Sequence, residues 1–343
     1  MKYFVTGAAG FIGSFVCKKL LEEGHSVVGF DSINDYYRVD LKQDRLSMLS
    51  SLPESQIEGR WTFHHARLED QASLDEIFSR NAFDRVIHLA AQAGVRYSIE
   101  NPGAYCDSNL RGFLNVLEAC RNHRIPHLAF ASSSSVYGMN RKAPFSEQDP
   151  VDHPVSLYAA TKRANELMAH TYAHLYGLPV TGMRFFTVYG PMGRPDMAYF
   201  KFADAILKNQ TIDVYNNGDL LRDFTYIDDV VKAVCLIADR PAPADKSFDA
   251  EHPRPDSSSA PYRIYNIGNS NPEKLETFIG LLEKSLGKTA QKNYLPMQAG
   301  DVYMTSADTT ALLNDFGWAP STPLETGLVR FARWYKEKQQ WLQ

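Results

Sequence analysis

The sequence predicts an α/β fold, a Rossmann-like doubly wound parallel sheet followed by a smaller mixed α/β C-terminal segment. Three observations carry this expectation. Short apolar runs alternate with helical patterns through the first half of the chain. A set of glycines separates the first run from the first helix, and an acidic residue closes the second run. Strands that alternate with helices form a parallel sheet covered on both faces, with ligands at the carboxyl ends of the strands.

Each element follows from its residues. "YFVTGAAG" is a strand running into glycines, and "FIGSFVCKKLLEEG" places apolar residues at helical spacing with a stop at Gly24. "SVVGFD" is a second strand ending in Asp31; "TFHHARL", "RVIHLAA", "HLAFASSS" and "PVTGMRF" read as further strands. Helices are expected over 73–80, 108–123 and 158–176. After about residue 190 the pattern changes, with short strands, frequent Pro and Gly, and helices over 199–208, 228–238 and 272–286. Two domains are therefore expected: 1–180 for a dinucleotide, and 181–343 for a second ligand, partly interleaved with the first. The stretch 240–262, with five prolines, reads as a surface excursion.

Composition excludes several classes. The 343 residues are 44% apolar and 22% charged, and the net charge of −4 comes without a run of Lys or Arg. That argues against nucleic acid, which needs a concentrated basic face. No apolar stretch approaches the ~18–20 residues that span a bilayer, so no membrane partner is expected. The start, "MKYFVTGAAGFIG", reads directly as a strand and lacks a signal-peptide core. Cys17, Cys106, Cys120 and Cys235 form no C-x-x-C and sit near no His at zinc spacing. Free thiols, no metal and a cytoplasmic location are the expectation. His64 and His65 read as strand residues, and His88 as a satisfied core histidine.

The motifs then supply chemistry. "GAAGFIG" sets Gly7, Gly10 and Gly13 in the first strand–turn–helix, where glycines allow close backbone approach and the helix N-terminus faces a pyrophosphate. Phe11 and Ile12 open that helix. Asp31 can accept hydrogen bonds from both adenosine ribose hydroxyls and would repel a 2′-phosphate, so NAD is favoured over NADP. The serine run "ASSSSVYG" follows "HLAF" and so lies at a strand's carboxyl end, where this fold places chemistry, rather than in a linker. In "YAATKRANELMAHTY", Tyr158 and Lys162 stand four apart on one helical face. A phenol with pKa near 10 is a poor base at neutral pH; a neighbouring ammonium favours the phenolate. Tyr, Lys and Ser beside a nicotinamide make a hydride-transfer site for a secondary alcohol.

Taken together, "TGAAGFIG", "HLAAQAGV", "SSSSVYG", "YAATKRANE", "RFFTVYGP" and "RDFTYIDD" resemble, in order and over nearly the whole chain, the extended short-chain dehydrogenase/reductases, specifically the NAD-dependent nucleotide-sugar epimerases and dehydratases. The resemblance implies Ser133, Tyr158 and Lys162 as catalytic residues. It implies Phe11, Ile12, Asn34, Leu68, Leu89, Ala90, Ala91, Asn109, Tyr158 and Lys162 as further cofactor contacts, and it assigns 181–343 to a UDP-sugar. There Arg222 would hold the pyrophosphate, Asp301 the ribose, and Val214 and Tyr215 would lie along the uracil. Dehydratases of the family carry Asp–Glu after the catalytic hydroxyl residue; this chain has Ser134 and Ser135, which leaves epimerisation at C4. "AAQAGVRYSIENPGAY", "RFFTVYGPMGRPDMA" and "INDYYRVDLKQDRL" resemble the branch that acts on UDP-glucuronate. In that branch Thr187, Arg194 and the hydroxyls of Ser133, Ser134 and Ser135 would hold the C6 carboxylate. The chain departs from the pattern at Arg67, where relatives have Asp, and at Met192, where they often have Trp. The resemblance also implies a homodimer through helices 108–123 and 158–176. The alternatives are a UDP-glucose/galactose 4-epimerase, a UDP-glucuronate decarboxylase, and a non-catalytic NAD-binding scaffold or sensor.

Overall fold

The computed structural model describes residues 1–297 and 302–338. It divides into two compact units: residues 1–140, 147–185 and 231–266 form the first, and residues 141–146, 186–230 and 267–343 the second.

The first unit holds a seven-stranded sheet. Its strands are β1 (Lys2–Thr6), β2 (Ser26–Asp31), β3 (Trp61–His65), β4 (Arg85–His88), β5 (Leu128–Ser133), β6 (Val180–Phe185) and, numbered in chain order, β10 (Tyr262–Ile267). The order is β10-β6-β5-β4-β1-β2-β3. From β3 to β6 every pairing is parallel, as a doubly wound sheet requires. β5 and β6 are buried at every residue, the mark of strands covered on both faces. On one face Phe4, Phe30, Phe78, Phe83, Phe113 and Phe130 join Leu74, Val116 and Leu117 in a continuous core. Fully burying such a side chain contributes roughly 2 kcal/mol.

Helix ends are set by local chemistry. Asp70 caps Gln71–Arg80 by accepting from Ser73 N at 3.2 Å. Ser156 caps the long helix Leu157–Tyr176 by accepting from Ala159 N at 3.1 Å. That helix stops at Gly177, whose φ of 65° is open to glycine.

Three features depart from the sequence expectations. A helix at Val39–Ser50 was not anticipated, because its mixed polar pattern hides the buried Leu41, Arg45 and Leu49. The helix expected over 108–123 begins as a π-helix, Cys106–Arg111, before continuing as Gly112–Asn122. The wide turn surrounds Asn109, whose side chain is spent on Gln92 and Thr161. The excursion at 240–262 is anchored at its end: Asp256 is 1% exposed and pairs with Arg263 at 2.6 Å, and Ser257 and Ser258 are buried with it. The chain then enters β10, beside β6 at the sheet's edge.

The second unit has β7 (Thr187–Tyr189), β8 (Thr211–Val214), β9 (Leu221–Tyr226), β11 (Pro272–Lys274) and β12 (Gln291–Tyr294). They form a three-stranded sheet, β11-β9-β7, and a pair, β12-β8. Its core is aromatic. Phe224 stacks on Phe278 with centroids 4.7 Å apart, and Tyr199 and Phe331 meet edge to face at 5.1 Å. Among the described residues no helix is long and apolar enough to cross a membrane.

Candidate active site

The glycine-rich turn lies at the point where strand order reverses, between β1 and its neighbours β2 and β4. Gly7 takes φ +74°, and a Cβ there would lie 2.8 Å from Ala90 N. A Cβ on Gly10 would meet the Gly7 carbonyl at 2.9 Å, and one on Gly13 would meet it at 2.0 Å. The turn is therefore closed to side chains and presents backbone. Phe11 and Ile12 begin the helix Phe11–Glu22 directly behind it. The Asp31 carboxylate steadies the same turn: Oδ2 accepts from Ala9 N at 3.1 Å and Oδ1 from Ile33 N at 2.8 Å. Each oxygen keeps further acceptor capacity for ribose hydroxyls.

The opposite wall is the backbone after β4. Thr6 Oγ1 accepts from Leu89 N at 3.2 Å and Ala90 N at 3.1 Å, and lies 2.9 Å from His88 Nδ1. His88 is buried, and desolvation followed by the Lys162 charge pushes it down to about 3, so it is neutral. It is the satisfied core histidine the sequence suggests, and Thr6 uses it to hold the segment that continues through Ala91. Asn34 is exposed, with Oδ1 accepting from Lys42 Nζ at 2.6 Å. Leu68 is buried, its carbonyl accepting from Asn115 Nδ2 at 2.9 Å.

The serine run spans a strand end and the turn that follows it, not a linker. Ser132 and Ser133 end β5, and Ser134–Tyr137 is a 3₁₀ turn. Ser133 Oγ accepts from Ser135 N at 3.2 Å and donates to Ser135 Oγ at 3.2 Å. The long helix carries Tyr158, partly exposed, with its ring edge-on to Tyr105 at 6.1 Å. Lys162, one turn on, is 2% exposed and donates from Nζ to the Ala131 carbonyl at 2.9 Å. Burial, offset in part by Glu166, lowers its pKa to about 8. In the first unit, then, a strand end carries Ser133, and the helix that carries Tyr158 is tied to the same strand through Lys162.

The other predicted residues fall in the second unit. Thr187 opens β7. Arg194 pairs with Asp196 through Nε at 3.0 Å. Val214 is fully buried at the end of β8 and Tyr215 is partly exposed. Arg222 on β9 donates from Nη1 to the carbonyls of Leu221 and Tyr303 at 2.9 and 3.0 Å. Asp301 lies outside the described residues.

A family model described as the NAD dependent epimerase/dehydratase family matches residues 3–268. The chain belongs to that family. Its resemblance to nucleotide-sugar epimerases, its doubly wound fold and NAD as its cofactor are as the motifs imply. A "Probable UDP-glucuronate 4-epimerase" of Rhizobium meliloti (strain 1021) is 48% identical, covering 98% of this chain and 97% of that protein. "UDP-glucuronate 4-epimerase 1" of Arabidopsis thaliana is also 48% identical, over 96% of this chain and 76% of that protein. The crystal structure of UDP-glucuronic acid 4-epimerase from Bacillus cereus, in complex with UDP-glucuronic acid and NAD, superposes with a TM-score of 0.84. It is 30% identical, with 98% and 99% of the two chains covered. The side-chain-free glycine turn and the Asp31 carboxylate fit the family's dinucleotide.

Two residues that hold this region together escaped the sequence reading. Thr6, first residue of "TGAAGFIG", holds the backbone at Leu89 and Ala90, and only its place at the end of β1 hinted at it. Glu166 is buried one turn beyond Lys162 and binds Ser132. The same four-residue spacing that drew attention to Tyr158 and Lys162 extends to it.

Proposed function

We propose that this chain inverts C4 of UDP-glucuronate to give UDP-galacturonate. The observation that carries the reading is the serine run. The two positions after Ser133 are hydroxyls, Ser134 and Ser135, so the strand end has no carboxylate there to drive elimination of water. The relatives named UDP-glucuronate 4-epimerase support the same substrate.

In this reading the first unit takes the dinucleotide, with the Gly7–Gly10–Gly13 turn at the pyrophosphate and Asp31 at the adenosine ribose; Phe11, Ile12, Asn34, Leu68, Leu89, Ala90, Ala91 and Asn109 complete the cofactor contacts. When bound, NAD would supply a hydride acceptor and then donor for C4, the 4-keto sugar turning over between the two transfers so that C4 is inverted. Tyr158 removes the C4 hydroxyl proton at Oη as a phenolate and later gives it back. Lys162 supplies the adjacent positive charge that favours the phenolate. Ser133 Oγ holds the C4 oxygen. The second unit takes the UDP, with Arg222 at the pyrophosphate, Val214 and Tyr215 at the uracil and Asp301 at the ribose. Thr187, Arg194, Ser134 and Ser135 bind the C6 carboxylate. That grip matters, because a 4-keto glucuronate is a β-keto acid; holding its C5–C6 bond out of line with the ketone π system suppresses loss of carbon dioxide.

We also assign the protein to the cytoplasm, in keeping with four free thiols. We assign it to a homodimer through the helices Gly112–Asn122 and Leu157–Tyr176, which expose Leu114, Leu167 and Leu175.

The test is incubation of purified protein with UDP-glucuronate and, separately, UDP-glucose, without added NAD, with products identified by NMR at C4. UDP-galacturonate is expected. A UDP-xylose signal, turnover of UDP-glucose alone, or no turnover would overturn the reading.

A further inference from the structure

Beneath the serine run the first unit buries a carboxylate that the mechanism above does not use. Glu166 is fully enclosed. Its Oε1 accepts from Ser132 Oγ at 2.6 Å and from Arg184 Nε at 2.8 Å, and its Oε2 from Arg184 Nη2 at 2.9 Å and Arg163 Nη1 at 3.1 Å. Arg184, on β6 and also fully buried, reaches on from Nη1 to Tyr137 OH at 3.1 Å. The Tyr137 hydroxyl donates to Asn266 Oδ1 at 2.7 Å.

One carboxylate thus joins β5, β6 and the long helix. Ala131 is tied to Lys162 and Ser132 to Glu166, so two successive strand residues are fixed to two helix residues one turn apart. The next strand residue is Ser133. Tying Ala131 and Ser132 to the helix therefore fixes where the strand end that carries Ser133 lies along it. A buried ion pair adds little net stability over well-packed apolar residues. What it adds here is direction, since the bidentate guanidinium–carboxylate contact permits only a narrow geometry.

We propose that Glu166 is a positioning residue for epimerisation, holding the serine run and the helix that carries Tyr158 and Lys162 in a single register. This rests on the reading of Ser133, Tyr158 and Lys162 as catalytic. A second consequence is electrostatic. Lys162 faces Glu166 on its own helix and neutral His88 on β4, so Glu166 is its anionic neighbour. Glu166 in turn faces Arg163 on the same helix, Arg184 on β6, Ser132 on β5 and Tyr262 on β10. Burial opposes its charge, yet the two arginines and Ser132 hold its carboxyl below the usual range, so it stays ionised. Neutralising it would make the Lys162 ammonium give up its proton at lower pH.

The test compares Glu166→Gln, Ser132→Ala and the double variant Glu166→Gln with Arg184→Met against Tyr158→Phe, all carrying NAD. Turnover of UDP-glucuronate is followed across pH, and the fold by circular dichroism. Glu166→Gln is expected to lose at least about tenfold in kcat, with KM little changed and the alkaline limb moved to lower pH. Ser132→Ala should lower kcat with the limb in place. The double variant, which removes both members of the buried Glu166–Arg184 pair, should fold and still lose about tenfold. Wild-type kcat and an unmoved limb in Glu166→Gln, or wild-type kcat in the double variant, with Tyr158→Phe inactive, would overturn this inference alone. Undiminished turnover by Tyr158→Phe would overturn it together with the catalytic reading.

Discussion

Lys162 Nζ donates to the carbonyl oxygen of Ala131 at 2.9 Å, which fixes a buried ammonium against the strand that ends in the serine run. Burial first, and Glu166 against it, leave its pKa lowered to about 8. A lysine lowered in this way costs the fold stability while it is charged, below pH 8. The cost is relieved as pH rises from about 8 toward the ordinary lysine value, where only the unfolded chain still binds the proton. Lys162→Met should therefore raise the melting temperature by roughly 2 °C or more at pH 7. Turnover should fall by about 10² or more. Thermal unfolding and UDP-glucuronate assays on the same preparation check both signs.

The same titration predicts a pH profile. The Lys162 charge is present below about 8 and lost above it. The Tyr158–Lys162 pair should accordingly give kcat an alkaline limb that falls through that region, its apparent pKa belonging to the pair. A flat kcat from pH 7 to pH 10 would remove the ammonium from the account.

Tyr158→Phe deletes one hydroxyl from a partly exposed ring that packs edge-on to Tyr105. Turnover should drop by about 10²–10⁴, the usual contribution of a positioned acid–base group. NAD measured by acid release and absorbance should stay at the wild-type amount, because the phenol acts on the sugar and the dinucleotide keeps its other contacts.

Two glycine substitutions separate a cradle from a helix surface. On Gly13 a methyl would sit 2.0 Å from the Gly7 carbonyl oxygen, with backbone on both sides and nothing flexible to yield. Gly13→Ala should yield protein free of NAD. On exposed Gly280, in the helix Leu275–Leu286, a methyl meets nothing within 4 Å. Gly280→Ala should stabilise by about 0.5–1 kcal/mol in chemical unfolding and leave bound NAD unchanged.

Asp31 holds Ala9 N and Ile33 N and keeps acceptor capacity for a ribose. Asp31→Ser should weaken NAD by about tenfold or more, as a charge-assisted hydrogen bond is lost, and narrow the preference over NADP. Titration of stripped protein with each dinucleotide measures the ratio.

Six strands of the doubly wound sheet were legible because most are compact apolar runs, with Gly7 and Asp31 at strand ends; β10, which follows the proline-rich stretch, was not. The Tyr158–Lys162 spacing was legible because a helix converts four residues into one face. The network through Glu166, Arg184 and Tyr137 was not, because its members come from three elements whose register no local pattern records. The helix Val39–Ser50 was missed for a related reason: Lys42 and Arg45 are polar by type yet buried, Arg45 donating to the Ala9 carbonyl at 3.1 Å and Lys42 to Asn34. The π-turn at Cys106–Arg111 depends on contacts that Asn109 makes with Gln92, Thr161 and Asn165, two of which lie more than fifty residues away.

The strand β10 is added to the sheet's edge roughly eighty residues after β6 has been laid down. During synthesis at about 5–20 residues per second, the flank of β6 leaves the ribosome several seconds before its neighbour does. For that interval the nascent chain carries an open backbone edge, a template for pairing with another chain. Expression yield should therefore depend on how fast the intervening stretch is translated, and a fragment ending at residue 185 should aggregate instead of accumulating in soluble form.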